Sequence, residues 1–122
     1  MFIEIDFNSD EAIYVQLRNQ IIAAIAASEL REGESLPSVR ALAEMAGVNM
    51  HTVNKAYLSL KQDGFLKVDR RHGAVISLDI DKINSLNRAR EFLRPLVARW
   101  IVEDITREEA KDIIDELYDE LV

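Results

Sequence analysis

Two amphipathic stretches separated by only three residues constrain this chain more than any other feature. In "VRALAEMAGVNMHTVNKAYLSL" (39–60), Val39, Leu42, Ala43 and Ala46 recur at helical spacing, and so do Val53, Ala56, Tyr57 and Leu60. Between the two stripes lie Gly47, Val48 and Asn49. Glycine suits the left-handed position that ends a helix, and asparagine is a good cap for the start of the next. Ser38 stands where it can cap the first of the pair. A link this short forces the two helices into the steep crossing of a helix-turn-helix.

The flanking segments complete a small domain. Residues 2–7, "FIEIDF", alternate apolar and polar and predict a short strand. Ser9 or Asp10 is placed to cap a helix from Glu11 to about Ser28, whose stripe is Tyr14, Leu17, Ile21 and Ile25. "LREGESLP" (30–37) reads as a connector punctuated by Gly33 and Pro37. Gly64 closes the third helix. "FLKVD" and "AVISL" then flank Arg70-Arg71-His72-Gly73, with Leu66, Val68, Ala74, Ile76 and Leu78 alternating. This pattern predicts a β-hairpin with a basic tip. Three helices followed by a hairpin make a winged helix-turn-helix over residues 1–78.

From Asp79 onward the pattern is that of long helices. Ile83, Leu86, Leu93, Val97 and Trp100 lie near one face, and Pro95 within this run is expected to kink or split the helix. Thr106 and Glu109 match a capping box. Ala110, Ile113, Ile114, Leu117 and Leu121 form the stripe of a last helix. The fold class expected is mainly α with a small β-hairpin, the winged domain being followed by a two-helix region over 79–122. Those two helices supply more large apolar side chains than one helical pair can bury. Leu86, Leu93, Val97, Trp100, Ile113 and Leu117 are therefore expected at a homodimer interface, since symmetric dimers dominate soluble oligomers.

Composition narrows the function. The chain has 122 residues and no cysteine, which removes thiolate nucleophiles, disulfides and cysteine-ligated metal sites. No Gly-rich phosphate loop occurs, and His51 and His72 stand 21 positions apart, so neither an enzyme nor a cofactor is expected. No apolar run approaches the ~20 residues of a membrane span, and the acidic start "MFIEIDFNSDE" lacks a signal-peptide layout. A cytoplasmic protein that engages no membrane is expected.

The net charge of −7 argues at first against a polyanionic partner, but its distribution reverses the argument. Residues 38–73 carry six Lys/Arg and three Asp/Glu, a local +3, whereas residues 79–122 carry seven and twelve. Screening over roughly 8 Å at physiological salt lets the local charge dominate.

The outward face of the third helix carries His51, Thr52, Asn54 and Lys55. A helix of ~10–12 Å diameter fits the ~12 Å major groove of B-DNA. Asparagine pairs with adenine, threonine with a base or the thymine methyl, lysine with phosphate or guanine. Amides near Asn49 and Met50 can meet a phosphate at the helix start. Arg40, in the first turn of the second helix, can clamp a phosphate or reach a base, and Ser38 can add a phosphate contact. Arg70, Arg71 and His72 at the hairpin tip can enter a minor groove, with Gly73 allowing close approach. A symmetric dimer would read a palindromic operator in duplex DNA. The competing reading is a winged-helix module that binds protein; it predicts an apolar or acidic face on the third helix, which the +3 window disfavours.

The run "LREGESLPSVRALAEMAGV" followed by "TVNKAYLSLKQDGFL", with "YVQLRNQIIAAIAASE" before it, resembles the GntR family of transcriptional regulators over roughly residues 10–78. The short two-helix end is similar to the YtrA subfamily, whose small C-terminal region dimerises and lacks a large effector-binding domain. The resemblance implies DNA-contacting roles for Arg40, Thr52 and the wing glycine, Gly73. Departures are Asn49 in place of the usual serine, Met50 in place of a frequent arginine, and "RRHGAV" at the wing tip. The resemblance further implies repression, often of the regulator's own operon, with ABC-transporter genes as frequent targets. If a small-molecule effector exists, its expected place is the dimer interface around Pro95 and Trp100.

Overall fold

A computed structural model describes residues 1–122. Its elements are α1 (Ile13–Ala26), α2 (Val39–Ala46), α3 (Met50–Gln62), β1 (Leu66–Asp69), β2 (Gly73–Ile76), α4 (Lys82–Val102) and α5 (Arg107–Leu121). They fall into two units, Met1–Asp79 and Ile80–Val122.

In the first unit the three helical stripes converge. Leu17 and Ile21 of α1, Leu42 of α2, and Val53, Ala56 and Leu60 of α3 are wholly shielded from solvent, as is Ile76 of β2. Each of the larger of these side chains contributes roughly 1.5–3 kcal/mol by leaving water. Tyr14, Ile25, Val39 and Ala46 sit at the ends of their stripes and pack at the margin of the cluster. Gly64, with φ +85°, ends α3 as expected. The Phe65 amide there donates to the Leu60 carbonyl at 2.9 Å and the Gly64 amide to Lys61 at 3.2 Å, satisfying carbonyls that the helix leaves open.

The hairpin is antiparallel, pairing Leu66 with Ile76, Lys67 with Val75, Val68 with Ala74 and Asp69 with Gly73. Its alternation is incomplete. Leu66 and Ile76 are buried, but Val68 is 67% exposed, because the hairpin extends past the helical core. Val75, on the opposite face, is buried. The segment that reads as a plain connector pairs with β2: Gly33 donates to the Ile76 carbonyl, Ile76 to Glu34 and Leu36 to Ala74, each at 2.8 Å. Residues 33–36 thus run alongside β2, with Ser35 bridged to Val75, and Leu30 and Leu36 join the core.

Residues 2–7 do not form the expected strand, since no second strand lies beside them to supply backbone partners. Two glutamines one turn apart on α1 take that place. The Glu4 amide donates to Gln20 Oε1 at 2.9 Å, and Gln20 Nε2 returns a bond to the Glu4 carbonyl. The Asp6 amide donates to Gln16 Oε1 at 2.9 Å, and Gln16 Nε2 donates to the carbonyls of Asp6 and Glu11 at 3.0 Å. Each side-chain amide offers both an acceptor and N–H donors, which is what an extended backbone requires. Ile3 and Ile5 pack on the core from this strap. The expected cap by Ser9 or Asp10 is likewise absent. α1 starts two residues later, at an Ala12 N-cap without a side-chain bond, while Ser9 Oγ accepts from the Glu11 amide.

In the second unit α4 runs unbroken through Pro95, so the helix is not split there. Asp81 caps it, accepting from the amides of Ile83 and Asn84 at 3.1 and 3.2 Å. The capping box of α5 is present in both directions: Glu109 N donates to Thr106 Oγ1 at 3.1 Å and Thr106 N to Glu109 Oε1 at 3.0 Å. Asp104 between the helices adopts φ +63°, and the next amide, of Ile105, closes on the Trp100 carbonyl at 2.9 Å. Neither α4 nor α5 has a single buried residue.

Candidate nucleic-acid interface

The corner between α2 and α3 is built from backbone. Gly47 takes φ +68° and ψ +37°, and the Val48 amide folds back onto the Ala43 carbonyl at 3.0 Å. Asn49 then caps α3, its Oδ1 accepting from the His51 amide at 2.7 Å. The first turn of α3 consequently leaves the core at once. Met50, His51, Asn54 and Lys55 are exposed, while Val53 between them is fully buried. Thr52 differs from the expected outward placement in being half-buried, since it lies toward the packed side of the helix. Asn49 engages its carbonyl oxygen in the cap, so its side-chain NH2 is the group left to offer outward.

Ser38 caps α2 by accepting from the Ala41 amide at 3.1 Å, and its hydroxyl proton is free to turn toward an acceptor. Arg40 is exposed in the first turn of the same helix. The start of α2 is tied to α3 by Tyr57, whose hydroxyl donates to the Pro37 carbonyl at 2.7 Å. Burial raises the pKa of that phenol above its ordinary range, so it remains a donor throughout physiological pH.

At the hairpin tip Arg70, Arg71, His72 and Gly73 are all exposed. Their arrangement depends on Asp69, which the sequence reading did not single out. Its Oδ1 accepts from the amides of Arg71 at 2.7 Å and His72 at 3.3 Å, and its Oδ2 lies 3.4 Å from His72 Nδ1. The Arg71 amide bond, followed by the His72 contacts, holds the Asp69 carboxyl below the usual carboxylate range. Gly73, with φ +70°, turns the chain into β2. An aspartate followed within four residues by glycine between two strand-like runs is the sequence signal that could have identified this turn.

A groove of about 340 Å³ separates α3 from the hairpin. Asn54, Leu58 and Lys61 form its α3 side, and Val68 and Gly73 its hairpin side. Lys55 lies on a different edge of α3, its Nζ 4.2 Å from the centroid of the Tyr14 ring on α1. Tyr14, at the start of the α1 stripe, thus meets a charged side chain as well as the margin of the core. No three His, Asp or Glu side chains converge as a metal site, and no helix is long and apolar enough to cross a membrane. The six residues expected at a dimer interface, Leu86, Leu93, Val97, Trp100, Ile113 and Leu117, all retain solvent contact.

Comparison with known proteins agrees with this geometry. The profile of "Bacterial regulatory proteins, gntR family" matches residues 11–76. The HTH-type transcriptional repressor YtrA of Bacillus subtilis is 37% identical over 75 residues, covering 62% of this chain and 58% of that protein. Among solved structures, YtrA from Sulfolobus acidocaldarius, a GntR-family transcription factor, superposes with a TM-score of 0.69 at 40% identity, over 84% of this chain and 99% of that one. A transcriptional antiterminator from Listeria monocytogenes superposes with a TM-score of 0.87 at 28% identity, over 96% and 90%. A helix-turn-helix with a basic wing, matched along its whole length by that family's profile, places this chain in the gntR family of bacterial regulatory proteins, a family of transcriptional regulators and not of enzymes, in its YtrA-like branch.

Proposed function

We propose that the protein is a homodimeric, sequence-specific DNA-binding repressor that acts in the cytoplasm. The observation that carries this reading is the first turn of α3. A tight glycine corner presents Met50, His51 and Asn54 to solvent, with Arg40 exposed on the preceding helix and the basic hairpin tip beyond. The N-terminal residues of such a helix reach base edges first in a major groove. Arg40, Ser38 and Lys55 serve the phosphate backbone or adjacent bases, Thr52 meets the backbone from its half-buried position, and Arg70, Arg71 and His72 approach the neighbouring groove across Gly73. The repressor name of the Bacillus relative supports repression rather than activation. Its own operon and an ABC-transporter operon are the targets we propose.

Dimerisation through residues 79–122 is supported by the exposed apolar side chains of α4 and α5, which water would otherwise solvate unfavourably. The two helices also differ in charge. α4 carries Lys82, Arg88, Arg90, Arg94 and Arg99 against Glu91, whereas α5 carries seven carboxylates against Arg107 and Lys111. Copies that cross α4 of one protomer with α5 of another would join complementary faces, and two half-sites would then suit a palindromic operator. Any effector would be sought around Pro95 and Trp100, with quenching of the sole tryptophan as the readout.

The test is binding of the protein to DNA upstream of its own gene across a salt series. Specific affinity with a steep salt slope supports a DNA regulator. A shallow slope with no preference for that DNA over random duplex supports the protein-binding alternative. Arg40→Ala should weaken specific binding by about 1–3 kcal/mol if it reads a base; a loss under about 0.5 kcal/mol makes it a bystander.

A further inference from the structure

The edge of α3 that faces α1 carries an arrangement separate from the groove beside the wing. Lys55 Nζ lies over the Tyr14 ring, 4.2 Å from its centroid. One turn further along both helices, Arg18 Nη1 donates to Ser59 Oγ at 3.4 Å. Residues 14 and 18 on α1, and 55 and 59 on α3, are i,i+4 pairs, so each set lines one face of its helix. At 3.6 residues per turn, the edge formed by positions 55 and 59 is centred roughly 110° around the helix from the edge formed by positions 54, 58 and 61, which border the groove. The two edges of α3 are therefore served by different elements, the hairpin on one and α1 on the other.

A helix seated in a major groove has a phosphate strand on each side. The basic wing tip attends one of them. The ring of Tyr14 holds the Lys55 ammonium on the α1 side of α3 while leaving its charge uncancelled, which a carboxylate partner would not do. A lysine held in this way loses less side-chain freedom when it meets a phosphate than one waving in solvent.

We propose that α1 is part of the DNA-binding surface, with Tyr14 a positioning residue that aims Lys55 at a backbone phosphate on the flank away from the wing. The proposal rests on the DNA-binding reading above, and the experiment separates the two. A duplex is selected from a random library by the wild-type protein. Its affinity for wild type, Tyr14→Phe, Tyr14→Leu and Lys55→Met is then measured across a salt series. If the wild type selects no duplex, the DNA-binding reading itself fails.

Given a selected duplex, Lys55→Met and Tyr14→Leu should each bind about three- to tenfold more weakly, with a salt slope reduced by about one. Tyr14→Phe keeps the ring and should match wild type, which a merely structural role for the hydroxyl would not predict. The ε-methylene protons of Lys55 should show an upfield ring-current shift by NMR in wild type and Tyr14→Phe, and lose it in Tyr14→Leu. Combining Tyr14→Leu with Lys55→Met should weaken binding no further than Lys55→Met alone. An unchanged salt slope in Lys55→Met overturns the proposal whatever the Tyr14 variants do, because position 55 is exposed and the change leaves the core intact. Equal losses in Tyr14→Phe and Tyr14→Leu overturn it too.

Discussion

Gly47→Ala isolates the corner on which the recognition surface depends. Gly47 sits at φ +68°, ψ +37°, and a Cβ built there meets no atom within 4 Å. The cost of alanine is therefore a backbone cost alone. The left-handed region disfavours an L-residue by roughly 1–2 kcal/mol. Part of that, about 0.4–1 kcal/mol, is returned because alanine restricts the unfolded chain more than glycine does. A net loss of about 1 kcal/mol follows, which for a unit the size of residues 1–79 lowers the melting temperature by about 4–8 °C. Asparagine tolerates the left-handed region better than alanine, so Gly47→Asn should lie between alanine and wild type, and Gly47→Val should lose most because it is β-branched. Thermal unfolding followed by far-ultraviolet circular dichroism measures all four. An alanine variant as stable as wild type, or an asparagine variant worse than alanine, would show that the corner does not demand a left-handed residue and would remove the physical basis of the tight turn.

Tyr57→Phe removes the bond to the Pro37 carbonyl. It should cost about 0.5–1.5 kcal/mol in chemical denaturation, and an unchanged midpoint would mean that water replaces the phenol there. Asp69 makes the wing tip pH-dependent. Its folded pKa is depressed, so its contribution is present above the ordinary carboxylate pKa and is lost as pH falls through the lowered value. Amide exchange at Arg71 and His72 should accelerate only in that acidic range; an onset near neutrality would point to another group. At neutral pH Asp69→Asn keeps the acceptor but removes a charge that repels phosphate, and should bind DNA more tightly than Asp69→Ala, which loses the turn. Leu117→Glu places a charge in the apolar stripe of α5 and should shift sedimentation from dimer to monomer; an unaltered sedimentation coefficient would place the interface elsewhere.

How much of this was legible in advance depended on how local the cause was. The three core stripes of the winged domain could be read from period alone. Val53, Ala56, Tyr57 and Leu60 are all buried, as their spacing requires. Gly47 with Asn49, and Thr106 with Glu109, were equally legible, because a cap is a contract between residues two to four positions apart. On α3 the DNA-facing residues His51, Thr52, Asn54 and Lys55 follow by subtraction, as the polar positions left over once the stripe is assigned. That reasoning places Thr52 among the outward set although it is half-buried, and it passes over the Tyr14 ring beneath Lys55 and the Asp69 carboxylate that holds the hairpin tip.

The remaining features needed partners distant in sequence. "FIEIDF" has the alternation of a strand, but whether it becomes one depends on what lies alongside, and Gln16 and Gln20 reach it from α1. Residues 33–36 looked like linker until β2 gave their amides and carbonyls somewhere to go. Lys55 carries the same charge wherever it points; only the packing of α1 against α3 sets a ring beneath it. The sequence by itself determined the helices, the caps at Ser38, Asn49 and Thr106 and the sharp corner, since these arise from interactions within a turn or two of chain, whereas the start of α1 was not fixed in this way. Tertiary structure alone decided which polar groups pair across tens of residues, because that choice is made by the shared burial of Leu17, Ile21, Leu42 and Leu60 and by nothing adjacent to the groups themselves.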